Sequence, residues 1–183
     1  MERAILAGCA VAALVLAVGC RSAPAPVPRL PPPSPAPVSA PVPGPVLGRA
    51  PAPVSPAVGR IIASARSLLG VPYRHGGADS RGFDCSGLVS YVFAAAGLAL
   101  PRRAADQAET GRWVALDEVS AGDLLFFSTA AKPNHLGVVV SASGGSLRMI
   151  HASTSRGVIE TDVLHEPYWL GRLKFGRRVL PGG

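Results

Sequence analysis

The chain has 183 residues and a formal net charge of +7 at pH 7. Its basic residues are scattered, with no basic run longer than the pairs that begin at Arg102 and Arg177, which argues against the basic, aromatic-interleaved patch of a nucleic-acid-binding domain. The remaining basic excess indicates mild attraction to an anionic surface.

Residues 1–19 are predicted to be an export signal. The stretch from Ala4 to Gly19 carries no charge; it is slightly longer than a signal-peptide core and shorter than a comfortable membrane span. It ends in the small residues AVG directly before Cys20, a pattern that resembles the lipobox of bacterial lipoproteins. The resemblance implies lipidation of Cys20, and Arg21, in place of Asp, implies the outer membrane. An uncleaved anchor and ordinary secretion are the alternatives.

Residues 20–58 are predicted to be a disordered, Pro/Ala-rich tether. Of the 19 prolines, 14 fall between Pro24 and Pro56. Proline removes backbone hydrogen-bond donors, and the other residues are mostly Ala, Val and Ser, so the segment lacks the side chains of a core. In polyproline II geometry, at ~3.1 Å per residue, it would reach roughly 120 Å. We therefore expect it to carry a domain away from a membrane surface.

Residues 59–183 are predicted to form one domain. A domain of about 125 residues buries roughly two thirds of the surface that its unfolded chain exposes. The domain opens with apolar residues at helical spacing from Arg60 to Leu69, ended by Gly70. A glycine-rich loop follows over residues 74–82.

Cys85 is the only cysteine after Cys20, and it opens a predicted helix that runs to Ala96. Asp84 is the expected N-cap, and Gly97 ends the helix. The helix dipole and the free N–H groups of the first turn would stabilise a thiolate, and also an oxyanion formed by attack on a carbonyl. Cys85 is therefore a candidate nucleophile; the alternatives are a buried apolar thiol or an intermolecular disulfide. Four histidines could supply a base: His75, His135, His151 and His165.

The second half of the domain is predicted to consist mostly of strands. A short helix at 104–110 ends at Gly111. Strands are predicted at 113–116, 124–127, 136–140 and 147–150, and the SGGS stretch between the last two is a strong hairpin signal.

His135 starts the first strand of this hairpin and His151 ends the second, so both lie at the same end. A strict two-residue turn would pair residue 151 with residue 138, whose side chain points opposite to that of His135. Both imidazoles share a face only if the loop has an odd number of residues or the hairpin contains a bulge. Gly144 and Gly145 favour a bulged, three-residue loop.

Several short motifs of the domain occur in a fixed order. They are GVPY at 70–73, GG at 76–77, GFDCSGL at 82–88, PR at 101–102, ADQ at 105–107, GDLLFF at 122–127, HLG at 135–137 and IHA at 150–152. In these motifs the chain resembles the NlpC/P60 peptidases over about residues 59–179. The resemblance implies an α+β, papain-like fold in which N-terminal helices that carry the cysteine pack on an antiparallel β-sheet.

The resemblance also implies roles for individual residues. Cys85 would be the nucleophile, His135 the base, and His151 the polar residue that orients His135. Three further residues would flank the nucleophile or the substrate: Tyr73, Asp84 and Ser86. His75 stands where the family often has Trp, which would alter the wall of the pocket.

The activity that the resemblance implies is cleavage of peptidoglycan peptides through a thioester, without a cofactor or a metal. The nearest subgroup is the small outer-membrane lipoprotein murein endopeptidases. We therefore expect a monomer, anchored by its lipid at the periplasmic face of the outer membrane, with secreted or periplasmic protein as the alternative. The bond that is cut stays open between γ-D-glutamyl-diaminopimelate within a stem and D-alanyl-diaminopimelate in a crosslink.

Two other functions are compatible with the same residues. The cysteine could serve an amidase or an acyltransferase, because motif geometry does not name the acyl acceptor. The domain could also be a non-catalytic peptidoglycan-binding adaptor. A zinc site formed by Cys85, His135 and His151 is disfavoured, since no fourth ligand and no typical ligand spacing is evident.

A few residues are interpreted as structural. Trp113 and Trp169 are expected to pack, and Asp123 to belong to a turn. Arg177 and Arg178 are expected to form a solvated strand end.

Overall fold

The structure, a computed structural model, describes residues 54–180. The predicted export signal, the lipidation site Cys20 and most of the predicted tether lie outside these residues, so they stay predictions. Within the described range, no helix is both long enough and apolar enough to cross a membrane.

The first helix, α1, spans Pro56–Ser67. It begins four residues before the predicted start at Arg60, because Ser55 and Pro56 form a start signal. The Ser55 hydroxyl accepts a hydrogen bond from the Val58 N–H at 3.4 Å, and the fixed φ of proline suits the first helical turn. The first three residues of α1 thus lie in the segment that was assigned to the tether.

Three further helices follow. The cysteine-bearing helix, α2, spans Cys85–Ala95 and ends just before Gly97, whose φ is +87°, so its predicted bounds are confirmed to within one residue. The helix α3, Ala104–Gln107, is shorter than predicted. The fourth helix, α4 at Pro167–Leu170, has no counterpart in the sequence prediction.

Eight strands form two sheets in the part of the chain that the structure describes. The first two, β1 (Ala78–Asp79) and β2 (Gly82–Phe83), make a small antiparallel pair. The main sheet has the antiparallel order β3-β8-β4-β5-β6-β7. Its strands are β3 Arg112–Val114, β4 Leu124–Phe127, β5 His135–Ser143, β6 Ser146–Ser153, β7 Gly157–Asp162 and β8 Leu173–Arg178. Helices packed on an antiparallel sheet confirm the predicted α+β class.

The main sheet is buried on both faces. All four residues of β4 are fully buried, and successive side chains point to opposite faces. Leu124 and Phe126 belong to an apolar cluster with residues of α1 and α2, whereas Leu125 and Phe127 belong to a second cluster that includes Trp169. The helices therefore cover one face, and the segment that leads into β8 covers the other.

The hairpin of β5 and β6 decides where the two histidines point. Its turn contains only Gly144 and Gly145, with φ of +60° and +79°, so of the two alternatives, an odd loop or a bulge, the odd three-residue loop does not occur. The register shifts instead between Val139 and Ser141, where Val140 is the extra residue of a bulge inside β5. With Val138 paired to Ile150, both imidazoles lie on the same face of the sheet, which is the outcome that the bulge was predicted to give.

Two structural interpretations are wrong. Arg178 is not solvated: its side chain is 12% exposed, and two of its nitrogens contact the buried carboxylate of Asp123 at 2.7 Å. Asp123 also accepts from the Ser120 N–H, so it joins its turn to the end of β8. Trp113 does not pack in the core, since it is 58% exposed.

Candidate active site

Cys85 is the first residue of α2, and the loop before it is fixed by close backbone contacts. The Asp84 carboxylate accepts from the Gly87 N–H at 2.6 Å, as expected of an N-cap. A Cβ atom added to Gly87 would collide with the Gly77 carbonyl oxygen, and one added to Gly77 would collide with the Gly82 carbonyl oxygen. The glycines of the motifs thus let the loop lie directly against the helix start, with Cys85 half-buried at that junction.

The pKa of the Cys85 thiol is raised above its ordinary value. Burial is the main cause, and the negative charge of Asp84 adds to it. The backbone N–H groups of Ser86, Leu136 and Cys85 itself favour the thiolate but do not outweigh these two effects. The N–H groups at the helix start thus favour the thiolate as expected, but burial and the charge of Asp84 outweigh them and leave the pKa of the thiol above its ordinary value.

His135 and His151 form the predicted pair. The His135 Nε2 atom lies 2.9 Å from the His151 Nδ1 atom, and the two rings are nearly perpendicular at 89°. Gly137, in the HLG motif, makes room for this contact. A Cβ atom there would lie 3.0 Å from the His151 Cβ and 2.8 Å from the Met149 sulfur.

Both imidazoles are neutral at pH 7. Burial lowers the pKa of His135 to about 4. Burial also lowers the pKa of His151 to about 3, with further contributions from His135 and from the positive charge of Arg156. A neutral imidazole is able to accept a proton, and since Nε2 of His135 faces His151, its Nδ1 is the nitrogen left for a substrate or a thiol.

The pair extends to a third side chain. The His151 Nε2 atom lies 3.1 Å from the Thr161 hydroxyl oxygen, and both residues are buried. Thr161 lies on β7, next to β6, so the row His135, His151, Thr161 crosses three neighbouring strands. Both ring nitrogens of His151 are therefore engaged, which fixes the orientation of its ring.

Trp169 covers the two histidines. Its ring stacks on that of His135 with centroids 4.8 Å apart, and it meets His151 edge-on at 4.6 Å. The expectation that Trp169 packs is correct as far as it goes, but its packing partners are the site histidines. The sequence pattern did not indicate this contact between Trp169 and the histidines, because it did not predict α4, the helix that carries Trp169.

Asp84 and Ser86 are both bound to Arg102. The guanidinium contacts both Asp84 oxygens, at 2.6 and 2.9 Å, and donates to the Ser86 hydroxyl at 3.0 Å. Burial alone would raise the pKa of Asp84, but the hydrogen bonds from Arg102 and the Gly87 N–H bring it below its ordinary value. Arg102 lies in the PR motif, yet the sequence reasoning assigned it no role in the site.

Tyr73 lies near the thiol. Its phenol is half-buried, and its pKa is raised by burial and then by the negative charges of Cys85 and Asp84. A backbone bridge between Tyr73 and Phe83 fixes the loop that carries it. The predicted neighbour of the nucleophile is thus within electrostatic reach of the thiol.

The structure does not join the nucleophile candidate directly to the base candidate. Among residues 54–180, no hydrogen bond links the Cys85 thiol to the His135 imidazole; the backbone contact that favours the thiolate comes from Leu136, the residue after His135. In substrate-free sites, catalytic hydrogen bonds are often long and shorten when substrate binds.

Residues of the site line two cavities. One, of about 520 Å³, is lined by Asp84, Ser86, Arg102 and His75. The other, of about 580 Å³, has His135 in its wall and is lined by residues of three segments: Asn134, Ser155, Arg156, Tyr168, Trp169 and Arg172 among them. His165 lines neither cavity and pairs with Asp162 at 3.0 Å.

No group of three or more His, Cys, Asp or Glu side chains within the described range is placed to hold a metal ion.

Comparisons with known proteins agree on one family. A family model described as NlpC/P60 family matches residues 70–178. The Escherichia coli K12 protein named Murein DD-endopeptidase MepS/Murein LD-carboxypeptidase is 39% identical over 122 residues, which are 66% of this chain and 62% of the relative. The Bacillus subtilis protein named Gamma-D-glutamyl-L-lysine dipeptidyl-peptidase is 39% identical over 121 residues, 64% of this chain and 40% of that protein.

A solved structure gives the same result. The crystal structure of a Bacillus cereus protein described as an NlpC/P60 family protein superposes with a TM-score of 0.63 at 29% identity, over 69% of this chain and 41% of that chain. The aligned part of the chain thus spans less than two thirds of the length of each of these three proteins.

Proposed function

The chain belongs to the NlpC/P60 family, and from that premise we propose that it is a peptidoglycan hydrolase, a cysteine endopeptidase that cleaves stem peptides or their crosslinks. The observation that carries the proposal is the proximity of a half-buried thiol, which contacts the backbone of Leu136, to the adjacent His135 and its partner His151. Two relatives, a murein endopeptidase and a dipeptidyl-peptidase, supply the substrate class.

The proposed reaction begins from two neutral groups. His135 accepts the proton of the Cys85 thiol as the sulfur attacks the peptide carbonyl carbon. The resulting oxyanion is held by backbone N–H groups at the start of α2, with the Tyr73 hydroxyl as a further donor. General-base assistance of this kind contributes about 10²–10⁴-fold to a rate.

The remaining steps restore the enzyme. His135 gives its proton to the leaving amine as the C–N bond breaks, and the acyl group stays on sulfur as a thioester. His135 then takes a proton from water, whose oxygen attacks the thioester, and the thiol leaves with that proton. The products are a free amine and a free carboxylic acid. His151, held by Thr161, keeps the His135 ring in place during both transfers.

The relatives do not identify the peptide bond that this chain cleaves, because the activities of the two relatives differ. Both bonds considered for this chain, γ-D-glutamyl-diaminopimelate and D-alanyl-diaminopimelate, share one feature: diaminopimelate supplies the leaving amine. The proposed chemistry serves either bond.

Isotope labelling of the products tests the proposal. Digestion of purified peptidoglycan by the full-length protein in ¹⁸O-water should release fragments with one ¹⁸O in a new carboxyl group. A new amide or ester in place of that carboxyl would favour the acyltransferase alternative. Binding to peptidoglycan without any released fragment would favour the non-catalytic adaptor.

We further propose that the protein is a monomer anchored by a lipid on Cys20 at the periplasmic face of the outer membrane. The uncharged stretch before Cys20 and the proline-rich segment after it support this placement. Cells fed an alkyne fatty acid should label the wild-type chain but not a Cys20→Ala variant. Equal labelling, or none, would contradict the proposal, and light scattering of the detergent-solubilised protein tests the monomer.

A further inference from the structure

We propose that the cavity beside His135 is the subsite for the leaving residue of the substrate, and that Arg156 and Arg172 make it select a diamino acid whose carboxylate is free. The inference rests on the proposed hydrolase function. It identifies a group of the substrate, a free carboxylate, that this cavity recognises.

The reaction fixes which part of the substrate lies in this cavity. His135 must reach the amine that departs, so the leaving residue lies on the side of His135. The 580 Å³ cavity is on that side, with His135 and Trp169 in its wall. The other cavity adjoins Asp84 and Ser86 at the start of α2 and is left for the acyl part of the substrate.

Neither arginine of the cavity is neutralised by a carboxylate of the described residues. Within residues 54–180, seven arginines form ion pairs with carboxylates, whereas Arg156 and Arg172 form none. Glu166 lines the same cavity and pairs with neither of them. Two unpaired guanidinium groups and one unpaired carboxylate match an occupant that carries both a carboxylate and an amine.

Arg172 is held in place before a substrate arrives. One of its nitrogens donates to the Tyr168 carbonyl at 2.9 Å, and its guanidinium carbon lies 3.7 Å from the centre of the Tyr168 ring. The remaining N–H groups are available to a carboxylate. Because the Arg172 side chain is already held in one conformation, binding costs less side-chain entropy. The charge of Arg156 reaches far enough into the site to act on buried His151.

Diaminopimelate carries such groups, but at a different distance from the reacting carbon for each candidate bond: its D-centre carboxylate lies beside the leaving amine of the D-alanyl-diaminopimelate crosslink and at the far end of the molecule from the leaving amine of the γ-D-glutamyl-diaminopimelate bond. It supplies the leaving amine in both, and its D-centre carries a carboxylate that is free in the ordinary stem and neutral when amidated. A subsite that binds this carboxylate favours the unamidated substrate for the bond whose geometry brings the carboxylate to Arg156 and Arg172.

The test uses two crosslinked muropeptides that differ only in a free or an amidated diaminopimelate carboxyl. We expect the full-length protein to cleave the free acid with about tenfold or higher kcat/KM, because a charge-assisted hydrogen bond is replaced by a neutral one. Arg156→Gln and Arg172→Gln should lose this preference by slower cleavage of the free acid alone. Arg60→Gln, a change at an exposed arginine of α1 that also has no ion pair, should keep it.

The possible outcomes distinguish failure of the subsite proposal from failure of the proposed hydrolase function. Equal cleavage of the two muropeptides by the wild type, or a preference that survives in both Gln variants, overturns the subsite while the hydrolase stands. Cleavage of neither muropeptide overturns the proposed function together with the subsite. Circular dichroism of each variant identifies any loss that comes from unfolding.

Discussion

The nucleophile end and the histidine end of the site are organised by different forces. At the start of α2, the Asp84 carboxylate, the Arg102 guanidinium and backbone N–H groups make a charged, partly solvated network around Cys85. At the other end, half-buried His135 and buried His151 pack against Trp169, and desolvation lowers the pKa of both. Charged side chains fix the surroundings of Cys85, whereas burial lowers the pKa of His135.

The difference matters for mechanism. A thiolate–imidazolium pair would need a lowered thiol pKa and a raised imidazole pKa, and both shifts have the opposite direction here. Both shifts favour the neutral forms of Cys85 and His135, so in the proposed mechanism the proton moves from sulfur to His135 during attack. The following changes disturb one end at a time.

Loss of the base should have the largest effect. We expect His135→Ala to lower kcat by about 10²–10⁴, because the neutral thiol then has no partner to take its proton. His165→Ala is the matched control, since His165 is an exposed loop histidine that pairs with Asp162. If the two variants were equally active on peptidoglycan, His135 would not be the base.

Acid should remove activity through the histidine end. His135 accepts a proton only while neutral, so kcat/KM should fall about tenfold per pH unit below its pKa of about 4 and stay level from there to neutrality. The measurement is the initial rate on soluble muropeptides between pH 3 and 8. A fall that begins near pH 6.5 would show that burial does not hold His135 neutral.

Stability over the same range is the control. The pKa values of His135 and His151 are lower in the folded protein than the ordinary 6.5, so between pH 6.5 and 4 the unfolded chain binds more protons. The free energy of unfolding should therefore fall as the pH is lowered through this window. A His151→Asn variant should show a smaller fall, because one of the two buried imidazoles is gone.

Removal of Asp84 should act mainly on the nucleophile end. Asp84→Ala deletes the N-cap of α2 and both contacts to Arg102, and we expect a loss of about 1–2 kcal/mol in the free energy of unfolding. Arg102→Gln should cost less, since its side chain is 42% exposed and the cap remains. The double variant should cost less than the sum of the two in urea denaturation; strict additivity would mean that the ion pair contributes nothing.

Removal of the Thr161 hydroxyl should have the smallest effect on the catalytic rate. Thr161→Val removes the hydrogen bond to His151 without changing the volume much, and we expect a several-fold lower kcat with an unchanged KM. Thr161→Ser keeps the hydroxyl and should restore most of the rate. A Ser variant as slow as the Val variant would mean that Thr161 acts through packing alone.

The two ends also differ in how far the sequence predicts them. The nucleophile end is local: the Asp84 cap, Cys85 and the terminating Gly97 lie within one helix, so residue types and spacing are enough. Arg102 comes from a separate segment, and only the tertiary structure shows that it donates hydrogen bonds to Asp84 and Ser86.

The histidine end depends on tertiary structure throughout. The strand pattern places His135 and His151 at one end of a hairpin. The bulge at Val140, which brings their side chains to the same face, has no local sequence signal. The glycines of the turn suggested a bulge at the turn, not within β5. Trp169 and Thr161 reach the pair from other segments. The neutral state of Cys85 and His135 follows from burial, which spacing does not reveal.

Mass spectrometry of peptidoglycan digests tests the central claim, that Cys85 is the nucleophile of a peptide hydrolase, most directly. Full-length wild type and Cys85→Ala would be incubated with purified peptidoglycan, with folding of both checked by circular dichroism. We predict that the wild type releases peptide-cleaved fragments and that the folded Cys85→Ala protein releases none. Release by Cys85→Ala at the wild-type rate, or release by neither protein, would contradict the claim.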